Sequence, residues 1–285
     1  MTAQLNEMPP DLLDLFADAA ARPRTLSVPL PPGRTVRGDE GDADRPTLWL
    51  SDEPAPAGLW PRLHAAHQQS GLWPLLLDGY DGEPTRPWED GEFWPGRGSS
   101  PAEHDPERLL AGWWADQTAP YDGDDELSND RRAAVAAPYG RDWPGLAPPG
   151  EPWTTPERHA DHWAEQLTLA QPAMRLGLVP AGRGSDALAV LGWQGAINHT
   201  ADPGRLSAVL RSWEDRFGVR VIGVGFAELY LSVAAPPEHT TEALRVAAEH
   251  FAFCPDNVWQ GQRPCTLAAY AERIVDAPTW AFWWD

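Results

Sequence analysis

The stretch Gly192–Gly261 reads GWQGAINHTADPGRLSAVLRSWEDRFGVRVIGVGFAELYLSVAAPPEHTTEALRVAAEHFAFCPDNVWQG, and its changes of period decide the fold. Asp202 is a residue type that caps helix N-termini, Pro203 suits a first helical position, and Gly218 suits a helix end. Between them Leu206, Val209, Leu210, Trp213 and Phe217 recur on one face at helical spacing, with Arg205, Arg211, Glu214 and Asp215 opposite. After Gly218 the period becomes two. Val219–Phe226 is rich in β-branched residues and predicts a strand with Ile222, Val224 and Phe226 on one face. Gly223 and Gly225 fall on the other, where the strand bends or something approaches closely. A tight turn at Ala227-Glu228 leads to a second strand, in which Leu229, Leu231 and Val233 alternate with Tyr230 and Ser232. Pro236-Pro237 stops it. A further helix then buries Leu244, Ala247, Ala248 and Phe251, and it ends near Cys254 because Pro255 disfavours helix in the preceding residue.

Outward from this stretch, Met174–Val179 and Ala187–Trp193 read as a hairpin around Gly182-Arg183-Gly184-Ser185. A helix carrying Leu267, Tyr270, Ala271 and Ile274 follows, then a closing strand, Thr279–Trp284, with Trp280, Phe282 and Trp284 alternating. The order strand, helix, strand, strand, helix is most of a ferredoxin-like split βαβ unit. The expected class is therefore α+β, with an antiparallel C-terminal sheet and its helices. Four segments, GWQGAINH, SWEDRFG, FCPDNVWQG and the terminal WAFWWD with the helix before it, resemble the bacterial domain-of-unknown-function family numbered 4253. The resemblance covers the last third of the chain. It implies a shared fold and brings with it no activity, cofactor or catalytic residue.

Upstream the pattern is a divergent α/β region. Pro9–Ala21 reads as a short helix, Thr25–Leu30 as a strand, and Gly38–Arg45 as an acidic loop. Thr47–Leu50, Pro56–Gln69 and Leu72–Leu77 follow as strand, helix and strand, the order of a parallel βαβ unit. Asp78–Pro101 is a long Gly- and Pro-rich segment around Trp88, Phe93 and Trp94, the kind of irregular stretch that often carries function. Asp105-Pro106 opens a helix with Leu109, Leu110 and Trp113 inward. Tyr121–Asp130 is the most acidic run. Thr155 and Pro156 open another helix, with Ala160, Trp163, Ala164 and Leu167 on its face. The resulting division is an N-terminal region 1–137, a Pro/Gly-rich linker 138–154, and the family-like domain 155–285.

Composition limits function. The net charge is −20, and all 22 basic residues are arginine. Nucleic-acid binders carry a basic face, and here only Arg131-Arg132 cluster, so neither nucleic acid nor an anionic membrane surface is an expected partner. A basic protein partner is compatible with the charge. There are 16 Trp, and no run of apolar residues is long enough to span a bilayer. The first residues lack the basic and apolar regions of a signal peptide, which predicts a cytoplasmic protein with thiols rather than a disulfide.

The chemistry-bearing constellations are sparse. Arg183 in GRGSD lies between two expected strands and lacks a P-loop pattern. His159 and His162 share a helix face without a third ligand. His250, Cys254, Asp256 and Cys265 are metal-ligand types, but no CxxC accompanies them, and no metal or cofactor is expected. A nucleophilic Cys254 is disfavoured, since a helix C-terminus and Asp256 both oppose its thiolate. The ligand-binding candidates are Asp256, Asn257, Trp259 and Gln260, just after a helix stop, with Glu228 and His250; Trp193, Gln194, Asn198 and His199 are candidates for the same site. The leading expectation is a non-enzymatic interaction module that sequesters a protein partner. The rival is a hydrolase-like small-molecule enzyme using His250, Asp256 and Glu228 in one polar pocket.

Overall fold

The computed structural model describes residues 8–17, 23–39, 45–80, 82–120 and 129–285. The helix anticipated after Asp202 forms as expected. Asp202 accepts a hydrogen bond from the Gly204 N–H, the helix runs Pro203–Phe217, and Gly218 closes it in the left-handed conformation at φ 61°. In chain order the elements are α1 (Pro10–Leu13), β1 (Gly33–Val36), β2 (Leu48–Pro54), α2 (Leu59–Ser70), β3 (Trp73–Leu77), α3 (Pro106–Thr118), α4 (Asn129–Val135) and α5 (Pro156–Ala170). They continue with β4 (Arg175–Val179), α6 (Ala187–Leu191), α7 (Pro203–Phe217), β5 (Val219–Val224), β6 (Glu228–Val233), α8 (Thr240–Phe253), α9 (Asp256–Trp259), α10 (Leu267–Ile274) and β7 (Thr279–Trp283).

The class is mixed α+β. One seven-stranded sheet runs in the order β1-β2-β4-β3-β5-β6-β7. All its pairings are antiparallel except β3 with β5. The ferredoxin-like arrangement expected for the C-terminal strands gives way to this order, because β3 from the N-terminal half lies between β4 and β5, and β7 pairs with β6 at the far edge. A split βαβ unit does exist, one segment earlier: β2 and β3 both pair antiparallel with β4, so they run parallel to each other with α2 as their crossover and β4 filling the gap.

Helices cover both faces. Leu75, Leu77, Val221, Leu229, Leu231, Trp280 and Phe282 meet α3, α7, α8 and α10 in one core. Leu76, Leu176, Leu178 and Ile222 meet α1, α2 and α5 in the other. The antiparallel hairpin of β5 with β6 is present, but the expected facing of β5 is altered. A register shift between Val221 and Gly223 makes Ile222 the extra residue of a bulge, so Ile222 points to the α2/α5 face and Val224 to the opposite one. Sequence alternation cannot count a bulged residue.

Ala187–Trp193 is not a strand, and no hairpin joins it to Met174–Val179. A 3₁₀ turn at Gly184–Asp186 leads into α6. Ala187, Leu188 and Leu191 are the buried positions, which is helical spacing, and a seven-residue apolar run does not separate the two periods. Arg183, expected in a hairpin turn, instead pairs with Glu214 (3.3 Å) and Asp215 (2.6 Å) on α7. Segment 25–30 is extended chain with a single bridge at Thr25 rather than a strand, and α1 is shorter than expected; residues 18–21 of that helix expectation, most of the acidic loop 38–45 and residues 121–128 of the acidic run lie outside the described residues. The span 138–154 has no regular structure but is fastened to the core. The Gly150 N–H donates to the Arg216 carbonyl (3.1 Å) and the Trp153 N–H to the Ala234 carbonyl (2.9 Å).

Candidate functional site

The segment after α8 carries most of the ligand-binding candidates. Asn257, on α9, behaves like a piece of strand. Its Nδ2 donates to the Ala281 carbonyl (2.8 Å) and its Oδ1 accepts from the Trp283 N–H (3.3 Å). These are backbone groups of β7, which is the edge strand of the sheet among the described residues. Cys254 Sγ donates to the Trp283 carbonyl (3.0 Å) on the same edge. An exposed edge is a template for unwanted pairing, and the FCPDN segment occupies it. Asp256 accepts from the Asp285 N–H (3.2 Å) and from Gln260 Nε2 (3.1 Å), which also reaches the Asp285 carboxylate (3.2 Å). Trp259 is half-buried with its ring 5.5 Å from that of Phe251. The polar groups of Asp256, Asn257 and Gln260 are thus engaged in tying the end of the chain to α9. Replacing Asn257 with alanine is expected to cost about 0.5–1.5 kcal/mol, because a donor and an acceptor of the exposed β7 edge lose their partner together. Urea denaturation reads the loss, and an unchanged midpoint would contradict this role.

His250 lies inside an aromatic box formed by Trp213 (5.0 Å between ring centroids), Trp280 (4.4 Å) and Phe282 (4.9 Å). Its Nδ1 is 3.0 Å from the Tyr270 hydroxyl and its Nε2 has no partner. Burial, with Arg216 adding to it, lowers its pKa to about 3. Glu228 lies elsewhere. It shares the α5 face of β6 with Tyr230, whereas His250 packs on the α8 face, so the sheet stands between them. Burial, with Asp78 nearby, raises the Glu228 carboxyl above its ordinary value. His250, Asp256 and Glu228 therefore do not share one pocket. Among the described residues no group of three or more His, Cys, Asp or Glu is arranged to hold a metal. Cys254 and Cys265 are free, and burial raises the Cys254 thiol well above its usual range.

The buried histidines make the fold acid-sensitive. Burial, then Arg205, lowers His199 to about 4; burial also lowers His67 and His159. Each is neutral when folded and takes up a proton at its ordinary value of 6.5 when unfolded. The unfolded chain then binds more protons below pH 6.5, so stability is complete above that pH and declines as pH falls toward 4. Denaturation midpoints are expected to fall already between about pH 6.5 and 5, before most carboxylates titrate. A flat profile across that window would count against neutral buried histidines.

A grouping not anticipated from sequence joins Ser99, His104 and Asp202. Ser99 Oγ lies 2.5 Å from His104 Nε2 and 2.5 Å from Asp202 Oδ2. In a catalytic triad the carboxylate orients the imidazole through its second nitrogen. Here it accepts directly from the serine, and its other oxygen takes the Ser99 and Gly204 N–H groups (3.0 and 2.9 Å). The cluster anchors the 96–100 loop to the start of α7.

The cavity formed by GWQGAINH is different. Gly192 has φ 72°, and a Cβ there would strike the backbone of Trp94; the Trp94 N–H donates to the Gly192 carbonyl (2.8 Å). Gly195 leaves room for the Trp193 ring, which a Cβ would strike. Trp193 Nε1 donates to the Gly225 carbonyl (2.9 Å), and Asn198 Nδ2 to the Asp285 carbonyl (2.7 Å). These contacts stitch the motif to the 78–101 segment, to the β5–β6 turn and to the end of the chain. Between them lies a cleft of about 270 Å³ with Trp94, Trp193, Phe226 and Trp284 among its walls. The charged side chains lining it are Asp39, Glu92 and Asp285, all acidic. Glu92 is held by Arg86 (2.6 Å), while Asp39 and Asp285 have no ion-pair partner among the described residues. Gln194 donates through Nε2 to the Gly192 carbonyl (2.8 Å), leaving its Oε1 buried without a donor.

Of the sequence candidates, Trp193, Gln194 and Asn198 line this cleft; His199 lines a separate cavity of about 450 Å³ with Trp113 and Arg205. Asp256, Asn257, Trp259, Gln260, Glu228 and His250 line neither. In the sequence Phe226 and Trp284 are strand-face residues and Trp94 belongs to the irregular 78–101 segment; their meeting depends on the path of that segment, which no local pattern predicts. A larger cavity, about 850 Å³, has Phe16, Arg24, Arg45 and His67 among its lining residues.

Among the described residues no helix is long and apolar enough to cross a membrane. No curated protein and no solved structure matches the chain. Residues 175–285, the C-terminal part of the chain from β4 through its last residue, match the family model described as Domain of unknown function (DUF4253).

Proposed function

We propose that the protein is a non-enzymatic interaction module that engages a basic protein partner through the cleft beside Trp193, and so sequesters the partner's basic surface. The observation carrying this reading is the composition of the cleft: aromatic walls and exclusively acidic charges, on a chain of net charge −20. Aromatic side chains supply large contact area at small entropic cost, and complementary charge steers encounter. Ile197, 45% exposed at the rim, adds an apolar contact. The hydrolase-like alternative has weaker support, since its acid and base candidates are divided between the two sheet faces and the chain-end tie.

The test uses exposed residues outside the core. Proteins cross-linked to the purified full chain in a native-host extract are compared with those of the Ile197→Arg and Asp39→Arg variants. A basic protein retained by the parent and reduced about tenfold, or 1.4 kcal/mol, by either variant at unchanged melting temperature supports the reading. Equal retention by parent and both variants would refute it.

A further inference from the structure

We propose that residues 147–153 present a rigid proline ridge that docks into an aromatic, basic-rimmed groove on a protein partner. None of these residues lines the cleft beside Trp193, so the inference goes beyond that reading and does not depend on it.

The stretch reads Ala-Pro-Pro-Gly-Glu-Pro-Trp. The rings of Pro148, Pro149 and Pro152 fix their own φ, and a following proline pushes Ala147, Pro148 and Glu151 to extended values. Such a sequence favours the polyproline II helix, which has about three residues per turn and no internal hydrogen bonds. The structure carries that repeat in its anchoring. The N–H groups of Ala147, Gly150 and Trp153, each three residues from the next, donate to Glu249 Oε1 (2.7 Å), the Arg216 carbonyl (3.1 Å) and the Ala234 carbonyl (2.9 Å). No backbone hydrogen bond joins two residues of the stretch. Exposure follows the same repeat. Ala147 is buried, and a Cβ on Gly150 would lie 2.8 Å from the Ala235 carbonyl oxygen, so this edge is pressed onto the core. Pro148, Pro149, Glu151 and Pro152, at the intervening positions, are exposed.

Residues three apart share an edge of such a helix. Pro149 and Pro152 therefore form one outward ridge, with Pro148 and Glu151 beside it. Prolines at this spacing are what aromatic-lined grooves accept from proline-rich ligands. A free peptide must be ordered on binding, whereas here the three anchored N–H groups have already fixed the ridge. Trp153 ends the ridge with its indole exposed and steadied by a bond from Nε1 to Glu238 (2.9 Å). Charge selects the rim of the partner groove. Glu151, Glu238 and Glu242 are exposed and line one cavity of about 210 Å³ at the foot of the ridge, so the complementary rim is basic. A second copy of this chain, at net charge −20, does not supply it.

The experiment introduces the photo-crosslinker p-benzoylphenylalanine at position 242 of the full chain and irradiates it in native-host extract. Mass spectrometry locates the point of attachment. The expected product is a protein joined at a cluster of aromatic residues flanked by arginine or lysine. The double variant Pro149→Ala, Pro152→Ala is expected to lower its yield about tenfold at unchanged melting temperature. Glu151→Arg leaves every anchor in place and is expected to act in the same direction. The peptide acetyl-Leu-Ala-Pro-Pro-Gly-Glu-Pro-Trp-Thr-amide is expected to compete, at about tenfold the concentration at which the uncross-linked full chain competes, because it must still be ordered. Its analogue with alanine at the three proline positions is not. No cross-linked protein, a yield indifferent to the proline and Glu151 variants, or attachment to a segment without aromatic residues overturns the proposal. Ile197→Arg and Asp39→Arg are expected to leave the cross-link intact, so the ridge can stand where the cleft reading fails. A cross-link lost in those variants and kept in the proline variants assigns the contact to the cleft and refutes the ridge.

Discussion

Glu249→Ala is expected to destabilise the protein by about 3–5 kcal/mol, the range for breaking a buried ion pair by removing one partner. Glu249 is fully buried on α8. Arg216 on α7 grips it with two bonds, Nη1 to Oε1 at 2.8 Å and Nη2 to Oε2 at 2.6 Å. Trp213 Nε1 donates to Oε2 (2.7 Å) and the Ala147 N–H to Oε1 (2.7 Å). Every carboxylate oxygen therefore has two donors, and the group joins α7, α8 and the 138–154 span at one point. Alanine leaves a guanidinium whose side chain is only 14% exposed, together with an indole and an amide, all without their acceptor. The 138–154 span should loosen as well, since Arg216 Nη1 also donates to the Ala147 carbonyl (2.8 Å). Urea denaturation measures the loss, and hydrogen exchange at Ala147 and Gly150 reports the loosening. A destabilisation under about 1 kcal/mol would mean that the pair is well replaced by water, contrary to its burial.

Trp213→Ala is expected to cost a similar amount, about 3–5 kcal/mol, by a different route. The ring is fully buried at the centre of the α7–α8–β7 core. Its centroid lies 4.8 Å from Phe253, 5.0 Å from His250, 5.5 Å from Phe282 in a stacked pair, and 5.6 Å from Trp280. Deleting it opens a cavity between three elements that are held by one another and cannot close in on it. Trp213→Phe keeps most of the ring and removes only the bond to Glu249, so it should cost less than alanine. Because Trp213 and Glu249 share that bond, the double alanine variant should lose less than the sum of the singles. Strict additivity would show that the bond contributes nothing measurable.

What was legible in the sequence was local. The capping of α7 by Asp202, of α3 by Asp105 and of α5 by Thr155 follows from side-chain oxygens placed beside orphan N–H groups, and these bonds are present. The β5–β6 hairpin follows from alternation, and the end of α8 from Pro255. Each of these depends on residues within a few positions of one another. The candidate site was only partly legible. Trp193, Gln194 and Asn198 stood out through their motif, but the residues around Asp256 that offered the most chemistry are joined to the edge of β7 and to Asp285.

The sequence alone thus determined the mixed α+β class, the helix boundaries set by caps and prolines, and a net charge of −20. Tertiary structure decided the rest. It placed β3 between β4 and β5, because strand partners are chosen by backbone hydrogen bonding and shared burial over separations of a hundred residues, which carry no local period. It turned 187–191 into a helix through long-range contacts, Arg211 with Asp186 (2.5 Å) and Ser207 Oγ with the Ala189 N–H (3.2 Å). It also brought Trp94, Trp193, Phe226 and Trp284 to one cleft. Rings so far apart in sequence meet only once the whole sheet has formed, and for that reason the cleft has no signature in any single stretch of chain.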